Sequence, residues 1–589
     1  MKQDFYKNLQ AEAQTQLAAD EKLSGRYTLY RTACFFALIF AFAAGYDGVM
    51  GATVIGVLLL LFFSRLIHQH NRLKKRIRFI QNSLDVTEEY LSRFNGNWQK
   101  LTDKGDEFIH PERPQDIDLH IYGPSSLYQY LCCARTALGR QKLAKALTVT
   151  PPPANIITQR QAAVSELIDR QRLCVELLAL SRFLPTGHDT ARLITEINAD
   201  HHHHIRHVLQ RTAWLFPLLT MSSIILALCG LTEWHIPGLL ILLQFAIAMV
   251  FHRQNQTILA PLHTLNHELH AYRALFIRMG KTNFTSPRLA QLAADLSTAG
   301  APALQKLARL TDHVNLCRNL FFFVLGNALL LWDCHCAARF ARWQDSAAQN
   351  LQGWLEEWAE MELYISLAMA GHTREQFTFP QILKGAPQLN TTGLSSLLIT
   401  EEKAVPNDTA LTAETCIITG SNMSGKTNYM RTLASSLVLA YAGTPVCAKS
   451  FACTPMAVFT SIQVHDDQSQ GISTFYAELL RIKQMVDFSQ KQTPMFICID
   501  EIFKGTNSAD RIIGAREAIK RLTRPYAITL VSTHDFELCD LQSDNDIPVT
   551  NYHFAEYYED NKIKFDYKIK NGRCQTTNAQ YLLKMAGIL

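Results

Sequence analysis

A chain of 589 residues with 48% apolar and 19% charged residues is too long for one core and too apolar to be disordered, so three or four structural units are expected. The net charge of +5 permits contact with nucleic acid or anionic lipid and demands neither. Fourteen cysteines without the spacing of a zinc ribbon read as buried reduced thiols; Cys132-Cys133 and Cys334-His-Cys336 are too tight for a tetrahedral site.

The opening polar segment, to about residue 27, reads as helical, and it lacks the early apolar core and cleavage site of a secretory signal. An apolar block follows at 32–64, split by GYDG into two arms slightly short of the ~20 residues of a straight membrane span. Arg65, Arg72, Lys74, Lys75, Arg76 and Arg78 come next, the basic flank expected on the cytoplasmic side. A second block at 213–251 has two apolar arms around TEWH, with Trp214 and Trp234 near the expected interfaces and Arg206, Arg211 and Arg253 outside. Both blocks are expected to be membrane hairpins rather than buried helices. Their outer loops, around Asp47 and Glu233, are then too short to hold any functional mass. Every active part would face the cytoplasm, at an inner membrane crossed several times.

Between and beyond the blocks, 73–110, 118–205 and 255–375 read as long amphipathic helices. The run His201 to His204, with His207, reads as solvated helix rather than a metal site. The apolar run 320–332 is too short to span and is expected to be a buried core helix. Lys and Arg are scattered through 253–311 without a cluster.

From about 395, short β-rich runs (CIITG, MFICIDE, AITLVSTHD) alternate with helices, the pattern of a parallel sheet flanked by helices. NYHFAEYYEDNKIKFDYKIKNG reads as an antiparallel hairpin, followed by a last helix. The strand CIIT leads into Gly420-Ser421-Asn422-Met423-Ser424-Gly425-Lys426-Thr427 and then a helix. This is a phosphate-cradling loop, with Lys426 as the point charge and Thr427 as a hydroxyl for Mg²⁺. Asp500 and Glu501 end the next core strand, suited to holding Mg²⁺ and to polarising water. His534 ends a third strand and is expected at a γ-phosphate. Asp466-Asp467 and a Gly471-x-Ser473-Thr474 turn precede a helix carrying Glu478; this turn is either an N-cap or a second phosphate nest.

In this order, TGSNMSGKTNYMRTL, VFTSIQVHDDQSQGISTFYAEL, IDEIFKGTNSADR and STHDFEL resemble the ATPase domain of the MutS family of DNA mismatch-repair proteins, relatives of ABC ATPases. VPND at 405–408 and the ending GRCQTTNAQYLLKMAGI resemble it too, and 118–153 is similar to the start of the MutS core, or lever, domain. The resemblance implies ATP on 420–427, Mg²⁺ on Thr427 and Asp500, Glu501 as catalytic base and His534 as switch histidine. It also implies that Ser473 reaches a partner subunit's ATP, that 505–508 lies along a homodimer contact, and that duplex DNA is a partner. Ser424 stands where the family usually has Gly. Residues 1–117 leave no room for the family's mismatch-reading domain, no DNA-gripping clamp is expected, and the chain ends without the family's C-terminal dimerisation extension.

The expected fold is therefore multi-domain. It comprises a helix, first hairpin and linker (1–117), an all-α lever (118–210 and 254–395) interrupted by the second hairpin (211–253), and a C-terminal α/β P-loop ATPase domain (396–589). The expected function is a membrane-anchored, dimeric, MutS-like ATPase acting on mismatched or branched DNA. The alternative is a mechanochemical membrane ATPase without nucleic acid. A transporter is disfavoured because the apolar arms offer few polar groups, Gln244 being the clearest.

Overall fold

In a computed structural model the described residues are 2–187, 189–198, 203–463, 474–504, 508–543, 547–559 and 562–574. Two 45-residue helices, Lys2–Tyr46 and Met50–Phe94, pack antiparallel as one hairpin. At ~1.5 Å per residue each is about 68 Å long. Composition divides the hairpin. At its tip Phe36, Phe40, Leu58 and Leu61 point outward, Phe40 with 74% of its surface exposed. At its base Tyr6 stacks on Tyr90, with ring centroids 4.5 Å apart, and Lys2 Nζ donates to the carbonyls of Gly371 and Arg374, both at 2.6 Å. The base is thereby fastened to the helix Gln349–Thr373, whose last thirteen residues, 361–373, are all buried.

The second hairpin consists of His203–Leu228 and His235–Thr264. Trp214, Leu218, Ile225, Leu239 and Leu242 are exposed, while Thr220 Oγ1 donates to Gln244 Oε1 at 2.7 Å between the two helices. By length and composition, Lys2–Tyr46, Gly51–Phe94 and His235–His263 are able to cross a membrane.

The apolar run at 320–332 departs from expectation. It forms the helix Leu320–Leu330, which rests on His235–Thr264 and exposes Leu320 (76%) and Phe321 (68%) instead of being buried. Leu331 then takes a left-handed conformation (φ 47°), and the chain bends by 81° into Trp332–Trp343. The helix is apolar on every side, but its neighbours cover only the side that carries Asn327. Helix also ends earlier than expected after the first hairpin. Gly96 (φ 74°), Gly105 (φ 69°), Pro111 and Pro114 restrict 95–118 to short turns of helix.

The β-structure begins at Gln381. A four-stranded sheet, ordered β1-β5-β2-β3, contains β1 (Gln381–Ile382), β2 (Leu389–Leu394), β3 (Asn407–Leu411) and β5 (Ser450–Cys453). A six-stranded sheet, ordered β10-β9-β4-β8-β7-β6, contains β4 (Thr415–Thr419), β6 (Ala457–Ser461), β7 (Met495–Asp500), β8 (Ala527–Ser532), β9 (Val549–Glu559) and β10 (Lys562–Asn571). Strands β6, β7, β8, β4 and β9 run parallel, and β10 returns antiparallel on β9. Strands β4 and β8 are buried at every residue, as a sheet covered on both faces requires.

Candidate nucleotide site

Register brings the site together. Ser532 pairs with both Ile418 and Asp500, so β4, β8 and β7 end side by side at one edge of the sheet. In open α/β sheets this carboxyl edge is where ligands bind. Beyond β4 the loop turns through Gly420 (φ 147°) and Gly425 (φ 108°) into the helix Lys426–Ala442, which the sheet buries almost completely. A Cβ on Gly425 would lie 3.1 Å from Tyr567 Cδ1, so both backbone angle and space require glycine there.

Lys426 Nζ folds back over the loop, donating to the carbonyls of Gly420 at 2.8 Å and Ser421 at 3.0 Å. Burial lowers its pKa, against the pull of Asp500 and Glu501. Ser421 Oγ and Ser424 Oγ are buried without a hydrogen-bond partner. Asn422 and the exposed Met423 (φ 69°) form the crest of the loop. Two unsatisfied hydroxyls, an ammonium and a helix N-terminus fit a phosphate group.

Across the loop, Thr427 Oγ1 donates to Asp500 Oδ2 at 2.7 Å, and Ser532 Oγ bonds Asp500 Oδ1. One hydroxyl and one carboxylate on adjacent elements are a donor set suited to a magnesium ion that keeps most of its water. Glu501 (φ 52°) sits beside them, its Oε1 3.3 Å from His534 Nε2 and its Oε2 2.5 Å from Lys504 Nζ. The contacts with His534, then Lys504, hold Glu501 down to about 2 despite partial burial, so it is a carboxylate at neutral pH. His534 Nε2 also lies 2.9 Å from Asn422 Oδ1, joining the loop to the acid.

Sequence reasoning singled out Glu478 only as a helix residue. Its buried carboxylate accepts from Phe503 N at 2.6 Å and braces the turn after Glu501. Arg511 holds Asp535 with two bonds, at 2.9 and 2.7 Å, and fixes the segment after His534. Ser473, Asp466, Asp467 and 505–507 lie outside the described residues, as do His201, His202 and the last helix.

Sequence reasoning also missed a cavity of about 350 Å³ next to Gly425, lined by Ile399, Val405, Asn407, Tyr429, Phe554 and Tyr567. Asn407, within 405–408, supplies the signal. Its amide donates to Tyr567 O at 3.0 Å and accepts from Ile569 N at 3.0 Å, so it pins β10 over the loop.

A glycine-turned loop between a buried strand and a buried helix, faced by acids on neighbouring strand ends, defines a nucleotide-binding α/β domain of the ATPase class. The model of MutS domain V matches residues 416–588. The DNA mismatch repair protein MutS of Aquifex pyrophilus is 35% identical over 189 residues, which cover 31% of this chain and 22% of that protein. The MutS of Natronomonas pharaonis is 34% identical over 200 residues, covering 32% and 22%. The C-terminal domain of the chain is thus similar to domain V of MutS proteins. The match spans about a fifth of the length of these relatives.

Proposed function

We propose that the chain is a membrane-anchored, MutS-type ATPase that binds and hydrolyses Mg²⁺-ATP between the ATPase domains of a homodimer. The observation that carries this reading is the contact of Thr427 with Asp500, with Glu501 beside it and unsatisfied serine hydroxyls across the loop. Residues 420–427 hold the phosphates, and Thr427 and Asp500 hold Mg²⁺, which supplies charge neutralisation at the phosphates. Glu501 orients and deprotonates water, and His534 links that acid to the loop through Asn422. Lys426 neutralises phosphate charge. The cavity at Tyr567 takes the adenine base; its volume lies within the ~300–1,000 Å³ of small-molecule sites. Ser473 is assigned to the partner subunit's nucleotide.

The exposed apolar hairpins support an anchor in the cytoplasmic membrane, with lever and ATPase domain on the cytoplasmic side. The names of the relatives support DNA, mismatched or branched, as the partner. A second reading is favoured by the fastening of Lys2 and Tyr90 to the helix Gln349–Thr373. In that reading ATP closure drives the hairpins against a protein or lipid partner, without nucleic acid.

The test is ATP hydrolysis by the purified full chain, alone and with matched, mismatched and branched duplexes across a salt series. Stimulation that fades with salt is expected if DNA is the load. No stimulation and no salt-dependent binding by any duplex would leave the membrane reading, and no hydrolysis at all would sink both.

A further inference from the structure

Five basic side chains from two helices converge beside the short apolar helix. Lys306, Arg309 and His313 come from Ala301–Leu316, and Arg339 and Arg342 from Trp332–Trp343. Spacings of three and four residues keep each set on one helix face. The groove they share has a volume of about 440 Å³, and among the described residues no carboxylate lines it. Trp343 fixes its width, since the buried indole N–H donates to Ala303 O at 2.8 Å.

Among the described residues, no ion pair engages Lys306, Arg309, Arg339 or Arg342. Among the described residues Arg342 bonds its own helix, at Ala338 O, and the nearby Asp312 lies 3.2 Å from His270. Cations gathered without counter-charges repel one another, and an anion relieves that repulsion.

The height of the groove says which anion. Trp214 meets His335 with ring centroids 4.5 Å apart, His252 meets Phe323 at 5.1 Å, and His313 meets Trp332 at 5.6 Å. These contacts mark the level at which the exposed apolar side chains of the second hairpin give way to polar ones. Arg339 lies one turn beyond His335, ~6 Å along the helix. The headgroup layer on each side of a bilayer is about 5–8 Å thick. The guanidinium groups therefore sit at phosphate depth, directly beyond the exposed Leu320, Phe321 and Phe322. Nucleic acid is disfavoured, because a duplex would be laid against those phenyl rings and needs a long basic track rather than one groove.

We propose that this groove is a headgroup site for an anionic phospholipid. Arg309, Arg339 and Arg342 hold the phosphate, and the acyl chains lie along Leu320–Leu330. The proposal rests on the membrane reading above and adds to it a lipid class and an address.

The full chain in neutral detergent micelles tests it by native mass spectrometry, with phosphatidylglycerol and phosphatidylcholine as probes. Phosphatidylglycerol is expected to be retained in preference. Replacing Lys306, Arg309, Arg339 and Arg342 together by Ala should weaken it roughly a thousandfold. Replacing the three arginines by Lys should preserve the preference. An unchanged unfolding midpoint without lipid checks that the alanine variant is folded.

Equal retention of both lipids, or retention unaffected by the alanine variant, overturns the proposal. Displacement by inorganic phosphate or by duplex oligonucleotide at the same concentration as the lipid also overturns it. Alkaline carbonate extraction of membranes from cells expressing the chain separates the two failures. A chain that stays in the pellet without lipid preference sinks the groove alone, while release into the supernatant sinks the membrane reading.

Discussion

The Arg481 guanidinium donates to Asp118 Oδ2 at 3.2 Å, tying the helix before β7 to the segment that follows the first hairpin. Asp118 is wholly buried, and its carboxylate also accepts from Thr460 Oγ1 at 2.7 Å and from the amides of Ile462 and Gln463, both at 3.0 Å. Its own carbonyl accepts from Arg431 Nε at 2.7 Å, one turn beyond Thr427. One residue thus connects the segment after the first hairpin to the helix of the loop and to the segment that leads to Ser473. Removing one partner of a buried ion pair leaves an uncompensated charge, so Asp118→Ala is expected to cost about 3–5 kcal/mol. Denaturant unfolding in detergent measures this. A loss within ~0.5 kcal/mol, the size of an ordinary surface change, would mean that the node carries little.

Asp500 and Glu501 are neighbours in sequence with different surroundings, and their variants should separate. If Asp500 holds Mg²⁺ as proposed, ATP binding by Asp500→Asn is expected to lose its Mg²⁺ dependence. Glu501→Gln leaves Thr427 and Asp500 in place, so binding should persist while turnover falls ~10²–10⁴-fold. Equilibrium binding with and without chelator, alongside single-turnover hydrolysis, reads both. Normal turnover by Glu501→Gln would end its assignment as the base.

Parts of this site were legible in the sequence because they are local. A loop between strand and helix, and acids at strand ends, are written within a few residues of one another. Asp118 was not legible: an aspartate in QDIDLHIYGPSS gives no hint of partners more than three hundred residues away. The helix Leu320–Leu330 was misjudged because length limits a span but does not say which neighbours cover it. The basic groove was invisible for a related reason. Lys306 and Arg309 are two scattered cations until the bend at Leu331 carries Arg339 and Arg342 back beside them.

His372 sits where the first hairpin meets the helix Gln349–Thr373, its Nε2 3.0 Å from Leu167 O and its Nδ1 3.3 Å from Tyr90 OH. Burial lowers its pKa to about 4, so the folded chain keeps a neutral ring. An unfolded chain takes up the proton below ~6.5. The stability from the neutral ring is thus complete above that pH and is lost as pH falls toward 4. The full loss is about 3 kcal/mol, at ~1.4 kcal/mol per pKa unit. His372→Gln should lower stability at pH 8 yet flatten its decline between pH 6.5 and 4. Equal slopes for the two chains would show that the ring titrates in the folded state.

The cavity at Gly425 gives a way to separate base from phosphate. Tyr567 takes a left-handed backbone (φ 53°) at the irregularity in β10, held by Asn407, and its ring lies against the end of the loop. Tyr567→Ala removes an aromatic face from the cavity proposed for the base but no donor from the loop. ATP affinity is expected to fall roughly tenfold, the size of one aromatic stacking contact. Inorganic triphosphate should bind as before, because residues 420–427 and Lys426 are untouched. Asn407→Ala should weaken ATP in the same direction by releasing Ile569 N and the Tyr567 carbonyl. Gly425→Ala should weaken both ligands, because the loop itself is strained at φ 108°. Competition binding with ATP and triphosphate distinguishes these outcomes. A Tyr567→Ala chain that loses the two ligands equally would place the cavity among the supports of the loop, and the base would have to bind elsewhere.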